Sequence, residues 1–282
     1  IRRQRQMCIR DRSNFTATSD NSGAKELWRG PWAGISRTNW ILTNIDKSPK
    51  ISDAKKTQYK GEAHFLRGLY YFNLVRLFGD VPWIDKQQTA SDDLQVSRTS
   101  KDIVYQHIID DFSDAASMLP AVYENTTDIG RATKGAAFGL LAKVYLTLKR
   151  YNETLVAIDS VMNLGVYSLN RKYEWNFSDL RENGPESLFE VQYEKDVTAY
   201  SEFDILGQGG WHHEYMAPLA SINIGGPWGN FGWFAVYPEF VESYEPGDLR
   251  KSVSVWCEGD VYQGWSYDPT CSQTGHNLSL IH

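Results

Sequence analysis

Residues 61–84 read GEAHFLRGLYYFNLVRLFGDVPWI, a helical pattern that ends at a sharp and chemically specific stop. Apolar residues recur at spacings of three and four, which is typical of one buried face of an α-helix. They are Ala63, Leu66, Tyr70, Leu74, Leu77 and Phe78. Gly79 favours the left-handed conformation that ends a helix, and Val81, which precedes Pro82, is restricted to extended backbone. The stretch therefore predicts a buried helix that turns at residue 80.

The region around this stretch is predicted to be helical, from about residue 24 to residue 165. In the helix that follows the stop, the pattern places Ile103 and Val104 with the apolar side chains, and Asp111 on the solvated side. The last two helices are joined by a short turn, so they form an antiparallel hairpin similar to a tetratricopeptide unit. The helices are expected near residues 24–47, 53–78, 100–118, 133–149 and 152–164. The pattern predicts a mostly α fold, a helical-repeat scaffold.

After Gly165 the periodicity is lost, and the sequence is predicted to be a loop-rich, irregular region with short strands. Residues 167–170 and 186–193 are predicted as short extended segments, and 237–244 as a short helix. Between them, residues 205–234 combine tryptophans with many glycines. A connection of that length is usually functional.

The two ends of the chain do not resemble the rest of it. Residues 1–12, IRRQRQMCIRDR, and residues 276–282 are interpreted as a non-native leader and tail and are excluded from the fold prediction. The remaining chain divides into a helical-repeat region, 13–165, and an incomplete loop-rich ligand-binding region, 166–275.

Composition excludes several classes of protein. The leader carries five arginines and one aspartate, so without it the formal charge falls from −6 to −10. An acidic chain without a basic patch does not indicate nucleic-acid binding. No stretch reaches the length of a membrane span, so any membrane attachment is expected from residues outside this sequence. Outside the leader, Cys257 and Cys271 allow either a disulfide or two thiols.

The stop motif and its helix resemble the SusD/RagB family, the Bacteroidetes surface lipoproteins that capture glycans. Similar landmarks extend the resemblance from Trp28 to Lys251. Family members are longer and begin with a lipidated cysteine, which implies that this chain is a fragment. The matching positions include Glu62, Phe65, Leu66, Arg67, Tyr71, Phe72, Leu74, Val75, Phe78, Gly79, Asp80, Val81 and Pro82. Of these, Glu62, Arg67, Phe78, Gly79, Asp80 and Pro82 are interpreted as structural.

The sequence carries no motif of an enzyme. A nucleophile elbow, a zinc-protease helix, a P-loop and a dinucleotide fingerprint are all missing from it. His212, His213 and Glu214 lack the spacing of metal ligands. A glycosidase would need two facing carboxylates, for which Glu214, Glu239 and Glu242 are the nearest candidates. The prediction is a non-catalytic protein without metal or cofactor.

Aromatic residues are the feature of the sequence that indicates a binding function, with ten tryptophans and sixteen tyrosines in 282 residues. A pyranose ring presents an apolar face and a rim of hydroxyls, which an aromatic platform with polar neighbours matches. The resemblance implies a glycan site built from an N-terminal segment and a later loop-rich region. The candidate glycan-binding residues are Gln208, Trp211, His212, Tyr215, Trp228, Asn230 and Trp233 in the loop, with Trp28, Arg29 and Trp32 near the N-terminus.

Each tryptophan also has a structural interpretation. Trp40 lies in a periodic helix and is predicted to be in the core, and Trp83 is expected to pack under the turn. Trp28 and Trp32 are one helical turn apart, so they face either the core or a ligand. The glycine-flanked tryptophans of the loop have little core to pack against, which favours a sugar-facing role for at least one of them.

Three hypotheses follow. The first, implied by the resemblance, is a lipid-anchored protein on the cell-surface side of the outer membrane. It would bind oligo- or polysaccharide and deliver it to a TonB-dependent, SusC-like transporter. The second is a helical-repeat scaffold that binds another protein. The third, ranked last, is a glycoside hydrolase.

Overall fold

The computed structural model of the chain describes residues 22–89, 91–92, 95–192, 235–262, 265–272 and 274–278. The chain forms two compact units, Ile1–Tyr167 and Ser168–His282. The described residues are mostly helical, as predicted. The helices of the first unit are α1 (Ser22–Asn44), α2 (Asp53–Phe78), α3 (Lys101–Met118), α4 (Lys134–Thr147) and α5 (Tyr151–Met162). Each of them lies within three residues of its predicted bounds.

Helix α2 begins and ends at residues that explain its bounds. The Ser52 hydroxyl caps its first turn by accepting the Lys55 N–H at 3.4 Å. At the other end Gly79 has φ 69° and ψ −122°, and its N–H donates to the Val75 carbonyl at 3.0 Å. The next residue, Asp80, accepts the backbone N–H of Lys101 at 2.8 Å. The stop of α2 is therefore also the cap of α3.

The backbone at Gly79 gives the first testable prediction. Gly79→Ala is expected to lower the free energy of unfolding by about 1–3 kcal/mol, because positive φ with this ψ is strained for a residue with a Cβ. Urea unfolding of the full-length protein, followed by circular dichroism, measures the change.

Gly30→Ala is the matched control for this prediction. Gly30 lies inside α1 before Pro31, and apart from its chain neighbours and the helix backbone a Cβ there would meet no atom within 4 Å, so alanine is expected to change stability by less than about 1 kcal/mol. A loss for Gly79→Ala no larger than the change for Gly30→Ala would show that the Gly79 conformation is not strained.

Helix α2 packs against both α1 and α3 and so is buried on more than one side. Phe65, Tyr71 and Phe72 are at most 1% exposed, although the predicted apolar stripe did not contain them. Leu77, which it did contain, is 55% exposed, so that part of the prediction is wrong. A helix with neighbours on two sides buries more than a single stripe, which explains the difference.

Glycines bring the helices of the first unit close together. A Cβ at Gly34 of α1 would overlap the ring of Tyr70 on α2, and one at Gly68 would lie 3.1 Å from the Phe112 ring. Helices α4 and α5 form the predicted hairpin, with Lys149 at φ 58° in the turn between them. These close approaches explain the compact packing of consecutive helices.

The second unit has little regular structure among its described residues. Short helices α6 (Pro238–Glu242) and α7 (Arg250–Ser254) accompany a small core of Val236, Val241 and Val255. Its strands are β1 (Val255–Trp256), β2 (Val261–Tyr262), β3 (Trp265–Ser266) and β4 (Asn277–Leu278). β1 pairs with β4 and β2 with β3, both antiparallel.

Two segments that the sequence predicts to be extended are not strands in the structure. Residues 167–170 and 186–192 form no strand, because their polar groups bond to nearby loop residues instead: the Ser168 N–H donates to the Pro185 carbonyl at 2.9 Å. Residues Asn277–Leu278, in the segment interpreted as a tail, form β4, which pairs with β1. The short helix predicted at 237–244 is confirmed as α6.

No helix in the described ranges is both long enough and apolar enough to cross a bilayer.

Candidate functional site

Most of the predicted glycan-binding residues lie in the loop 193–234, which is outside the residues that the structure describes. The same holds for His213 and Glu214, the residues of the metal and hydrolase alternatives. The loop candidates in question are Gln208, Trp211, His212, Tyr215, Trp228, Asn230 and Trp233.

Trp28 and Trp32, the described N-terminal candidates, belong to a row of aromatic rings along α1 and α2. The two rings meet edge to face with centroids 5.3 Å apart. Trp28 also contacts Phe78 at 5.0 Å, and Trp32 contacts Tyr71 at 6.0 Å. Both are half-buried, so these contacts are part of helix packing. The Trp32 indole N–H is buried without an acceptor in the described structure.

Arg29, the third N-terminal candidate, is not brought together with the two tryptophans. It follows Trp28 on α1 and is exposed, with its guanidinium 3.9 Å from Glu26. Residues one apart on a helix point in different directions, whereas Trp28 and Trp32, four apart, share a face. The N-terminal segment therefore presents an exposed cation and, separately, a packed aromatic pair.

The other two tryptophans of this unit differ in their environments. Trp40 is 56% exposed, so its predicted core position is wrong, because within the described ranges α1 is covered mainly by α2. Trp83 lies beneath the turn after Pro82, where its ring stacks on His107 with centroids 4.3 Å apart. The Arg67 guanidinium lies 5.3 Å from the same ring.

A buried ion pair that the sequence analysis missed joins α2 to α3. Arg67 donates from Nε to Asp111 Oδ2 at 2.9 Å and from Nη2 to Asp111 Oδ1 at 2.7 Å. Asp111 is 2% exposed, so its predicted position on the solvated side is wrong. The bidentate geometry and the burial make this the strongest electrostatic contact between the two helices.

The remaining polar atoms around this pair are also satisfied. Arg67 Nη1 donates to Asn39 Oδ1 at 3.0 Å, and His64 Nδ1 lies 2.7 Å from Asp111 Oδ1. Asn39 Nδ2 in turn donates to the Ile84 carbonyl at 2.7 Å. The network therefore connects three helices and the segment after the stop.

Tyr71 anchors that segment from α2. Its hydroxyl accepts the Ile84 N–H at 2.8 Å and lies 3.3 Å from the Ile84 carbonyl, to which it donates. Burial raises the pKa of Tyr71 well above its ordinary value of 10.0, so the phenol stays protonated as a donor.

A second ion pair holds α2 to the segment before α4. Arg131 donates to both carboxylate oxygens of Glu62, at 2.9 and 2.6 Å. The Tyr123 hydroxyl lies 2.8 Å from the Ala132 carbonyl and 3.2 Å from Glu62, and it shares its one proton between these two acceptors. The hydrogen bonds that Arg131 donates to Glu62 raise the pKa of Arg131, and burial followed by the Glu62 charge raises the pKa of Tyr123. Glu62 and Arg67 are thus both committed to contacts within the chain.

The described residues carry few groups suited to metal binding or acid–base chemistry. They contain no cluster of three histidine, cysteine or acidic residues that could hold a metal ion. Glu239 and Glu242 of the hydrolase alternative are exposed on the five-residue helix α6. Cys257 is a half-buried free thiol, and burial raises its pKa, which lowers its reactivity.

Comparison with known proteins identifies what this arrangement resembles. The model of a family described as SusD-like, "Starch-binding associating with outer membrane", matches residues 4–146, about half of the chain. The match begins inside the arginine-rich stretch at the N-terminus. A "SusD-like protein" of Bacteroides ovatus is 27% identical over 278 residues, covering 92% of this chain and 49% of the relative.

Solved structures give the same result for the fold. A SusD superfamily protein from Parabacteroides distasonis has a TM-score of 0.77 at 25% identity, covering 96% of this chain and 58% of that one. Surface glycan-binding protein A from Bacteroides thetaiotaomicron, solved in complex with laminarihexaose, has a TM-score of 0.74 at 22% identity and coverages of 90% and 56%. The chain spans about half the length of such relatives.

Proposed function

This chain belongs to the SusD-like family of starch-binding proteins that associate with the outer membrane, and from that membership we propose that the complete protein binds glycan without cleaving it. The family match over residues 4–146 carries the proposal. Further support comes from the similar fold of a glycan-binding protein that holds laminarihexaose. Binding on such a scaffold needs aromatic platforms and hydroxyl partners, and it needs no nucleophile or metal.

We place the sugar-binding platforms of this protein on the loop tryptophans Trp211, Trp228 and Trp233. Trp28 and Trp32 are half-buried and pack against each other and against Phe78 and Tyr71, so we assign them a smaller part in ligand binding. Polar partners for the sugar hydroxyls are supplied by Gln208, His212, Tyr215 and Asn230, with Arg29 as an exposed cation on α1.

The site of action follows from the family's association with the outer membrane. We propose that a lipid anchor, in residues beyond this sequence, holds the protein on the cell-surface side. There it delivers oligosaccharide to a SusC-like TonB-dependent transporter. A transporter that receives intact glycan has no need of hydrolysis by its binding partner, which is consistent with the non-catalytic proposal.

The test is calorimetry of the full-length protein against starch-like, laminarin-like, other plant and host oligosaccharides. One class is expected to bind, and the triple variant Trp211→Ala/Trp228→Ala/Trp233→Ala is expected to weaken it at least about tenfold, because stacked rings are removed. Trp40→Ala is the matched control, since it deletes an exposed tryptophan of α1 that is not a candidate for glycan binding, and its Kd is expected to equal that of the wild type.

The alternatives give different results in the same experiment. A folded protein that captures the transporter and binds no glycan would overturn the sugar-binding proposal in favour of a protein scaffold. Release of reducing ends during the titration would indicate a hydrolase, and Glu214→Gln and Glu239→Gln would then identify its carboxylate.

A further inference from the structure

The second unit contains a cleft of about 360 Å³ between the segments 170–181 and 184–190. Its lining includes one tryptophan, one arginine, two asparagine amides and two carboxylates. They belong to Trp175, Arg181, Asn170, Asn176, Glu186 and Glu190. All six lie outside the loop assigned above to glycan binding, and none was a candidate in the sequence analysis.

Arg181, the cation of the cleft, is held in place, and its guanidinium can still donate hydrogen bonds to a ligand. The Arg181 guanidinium lies 4.1 Å from the centre of the Trp175 ring, which fixes its plane by cation–π attraction. Within the described part of the chain its guanidinium makes no hydrogen bond or ion pair. Five N–H donors of fixed geometry therefore remain available to a ligand.

The carboxylates of the cleft are each bonded through one oxygen only. Glu186 Oε2 accepts the Asn170 N–H at 2.9 Å, and Glu190 Oε2 accepts the Asn183 N–H at 2.9 Å. The other oxygen of each accepts no hydrogen bond from a described residue. These oxygens are acceptors held in position by the backbone and open to a ligand donor.

Amide pairs make the cleft rigid. Asn170 Nδ2 donates to Asn176 Oδ1 at 2.6 Å across its floor. Asn183, at φ 54°, exchanges amide hydrogen bonds with Gln192 at 2.9 and 3.1 Å, which fixes the loop that carries Arg181. A preformed site binds with a smaller loss of conformational entropy than a flexible one.

The mixture of donors and acceptors indicates the class of ligand. Two carboxylates face one guanidinium, so the net charge of the lining disfavours an anion such as a phosphate or a uronic acid. A hydroxyl group both donates and accepts, and therefore matches Arg181 and the open carboxylate oxygens together. The volume is at the lower end of that of small-molecule sites, which suits one sugar ring.

We propose that this cleft binds one ring of a neutral glycan, as a contact site in addition to the loop tryptophans. Arg181 donates to ring hydroxyls, Glu186 and Glu190 accept from them, and the edge of Trp175 supplies the apolar contact. The inference rests on the proposed function, because the ring belongs to the same glycan class that the protein captures.

The test is ¹⁹F NMR of the full-length protein labelled with 5-fluorotryptophan, in which Trp175→Phe identifies the Trp175 signal. The probes are glucose, maltohexaose, laminarihexaose and the anionic trigalacturonic acid. A neutral probe is expected to shift the Trp175 signal saturably, both in the wild type and in the triple loop variant. Arg181→Ala is expected to raise the Kd from this signal about tenfold, through the loss of charge-assisted hydrogen bonds.

Two further variants test whether the change in Kd caused by Arg181→Ala is specific to the cleft. Leu180→Ala, next to Arg181 in sequence and 87% exposed, does not alter the lining and is expected to leave the Kd unchanged. Asn176→Ala removes an exposed amide of the cleft, and it is expected to weaken binding even if Arg181→Ala were to unfold the loop.

The other outcomes overturn the inference in distinguishable ways. If glycan moves other tryptophan signals and leaves that of Trp175 in place, the cleft is not a sugar site and the proposed function stands. A lower Kd for trigalacturonic acid than for every neutral probe, measured from the Trp175 signal, would show that the cleft prefers an anion. If no probe moves any tryptophan signal and calorimetry detects no glycan, both proposals fail.

Discussion

Arg67→Ala is expected to lower the free energy of unfolding by about 3–5 kcal/mol, the largest effect that the structure predicts for a polar residue. The substitution leaves Asp111, 2% exposed, as a buried carboxylate without its bidentate partner. It also removes the donor to Asn39 and to the Asp85 carbonyl. His64 remains beside one carboxylate oxygen, but it does not replace the two hydrogen bonds from Arg67, and a buried carboxylate cannot recover the hydration that it lost on folding. Urea unfolding of the full-length protein measures the loss.

A double-mutant cycle distinguishes loss of the pair from loss of one side chain. Asp111→Ala is expected to have a cost similar to that of Arg67→Ala. The double variant should cost less than the sum by more than about 1 kcal/mol, because neither charge is then left alone. Arg29→Ala removes an exposed arginine of α1 and is expected to change stability by less than about 0.5 kcal/mol. Additive single variants would show that the pair contributes no coupling.

The second large effect is expected at Phe112, where alanine should cost about 3–5 kcal/mol by leaving a cavity between α2 and α3. Phe112 is 0% exposed, and its ring packs against Phe65 with centroids 5.9 Å apart. It also lies against Gly68, one of the positions at which α2 approaches α3 closely. The surrounding helices are fixed by ion pairs, so they cannot close fully over the vacant volume. Thermal and urea unfolding both report the change.

Ile103→Ala is the matched control on the same helix. Ile103 is 52% exposed, and its truncation is expected to cost less than about 1 kcal/mol. The sequence pattern placed Ile103 on the buried side of α3, so the comparison also tests the corrected orientation of this helix. Equal losses for Phe112→Ala and Ile103→Ala would support the orientation predicted from the pattern.

The residues that carry the family resemblance are bonded within the chain. Arg67 pairs with Asp111, Glu62 with Arg131, and Asp80 caps α3. Such residues stabilise the scaffold, because their side chains are already engaged in contacts within the chain. Glycan specificity is therefore expected in the loops, where side chains vary without loss of the fold.

Helix positions and the stop after α2 were predictable because their causes are local. A cap at Ser52, a positive φ at Gly79 and the restriction before Pro82 act within a few residues, so they can be recognised in the sequence. The hairpin of α4 and α5 follows from two periodic segments and a short turn. The residues of the stop also carry the resemblance to the SusD-like family, whose model matches residues 4–146.

Burial depends on neighbours that are distant in sequence, and only the tertiary structure decided it. The sequence pattern placed Asp111 on the solvated side of α3, whereas in the structure it pairs with Arg67 of α2, which is 44 residues away in sequence. Trp40 looked buried, and no helix covers it among the described residues. The cleft around Trp175 and Arg181 could not be predicted from the sequence either, because its lining comes from irregular segments without periodicity. Short-range rules determine where a helix begins and ends, whereas packing between elements determines which of its faces meets water.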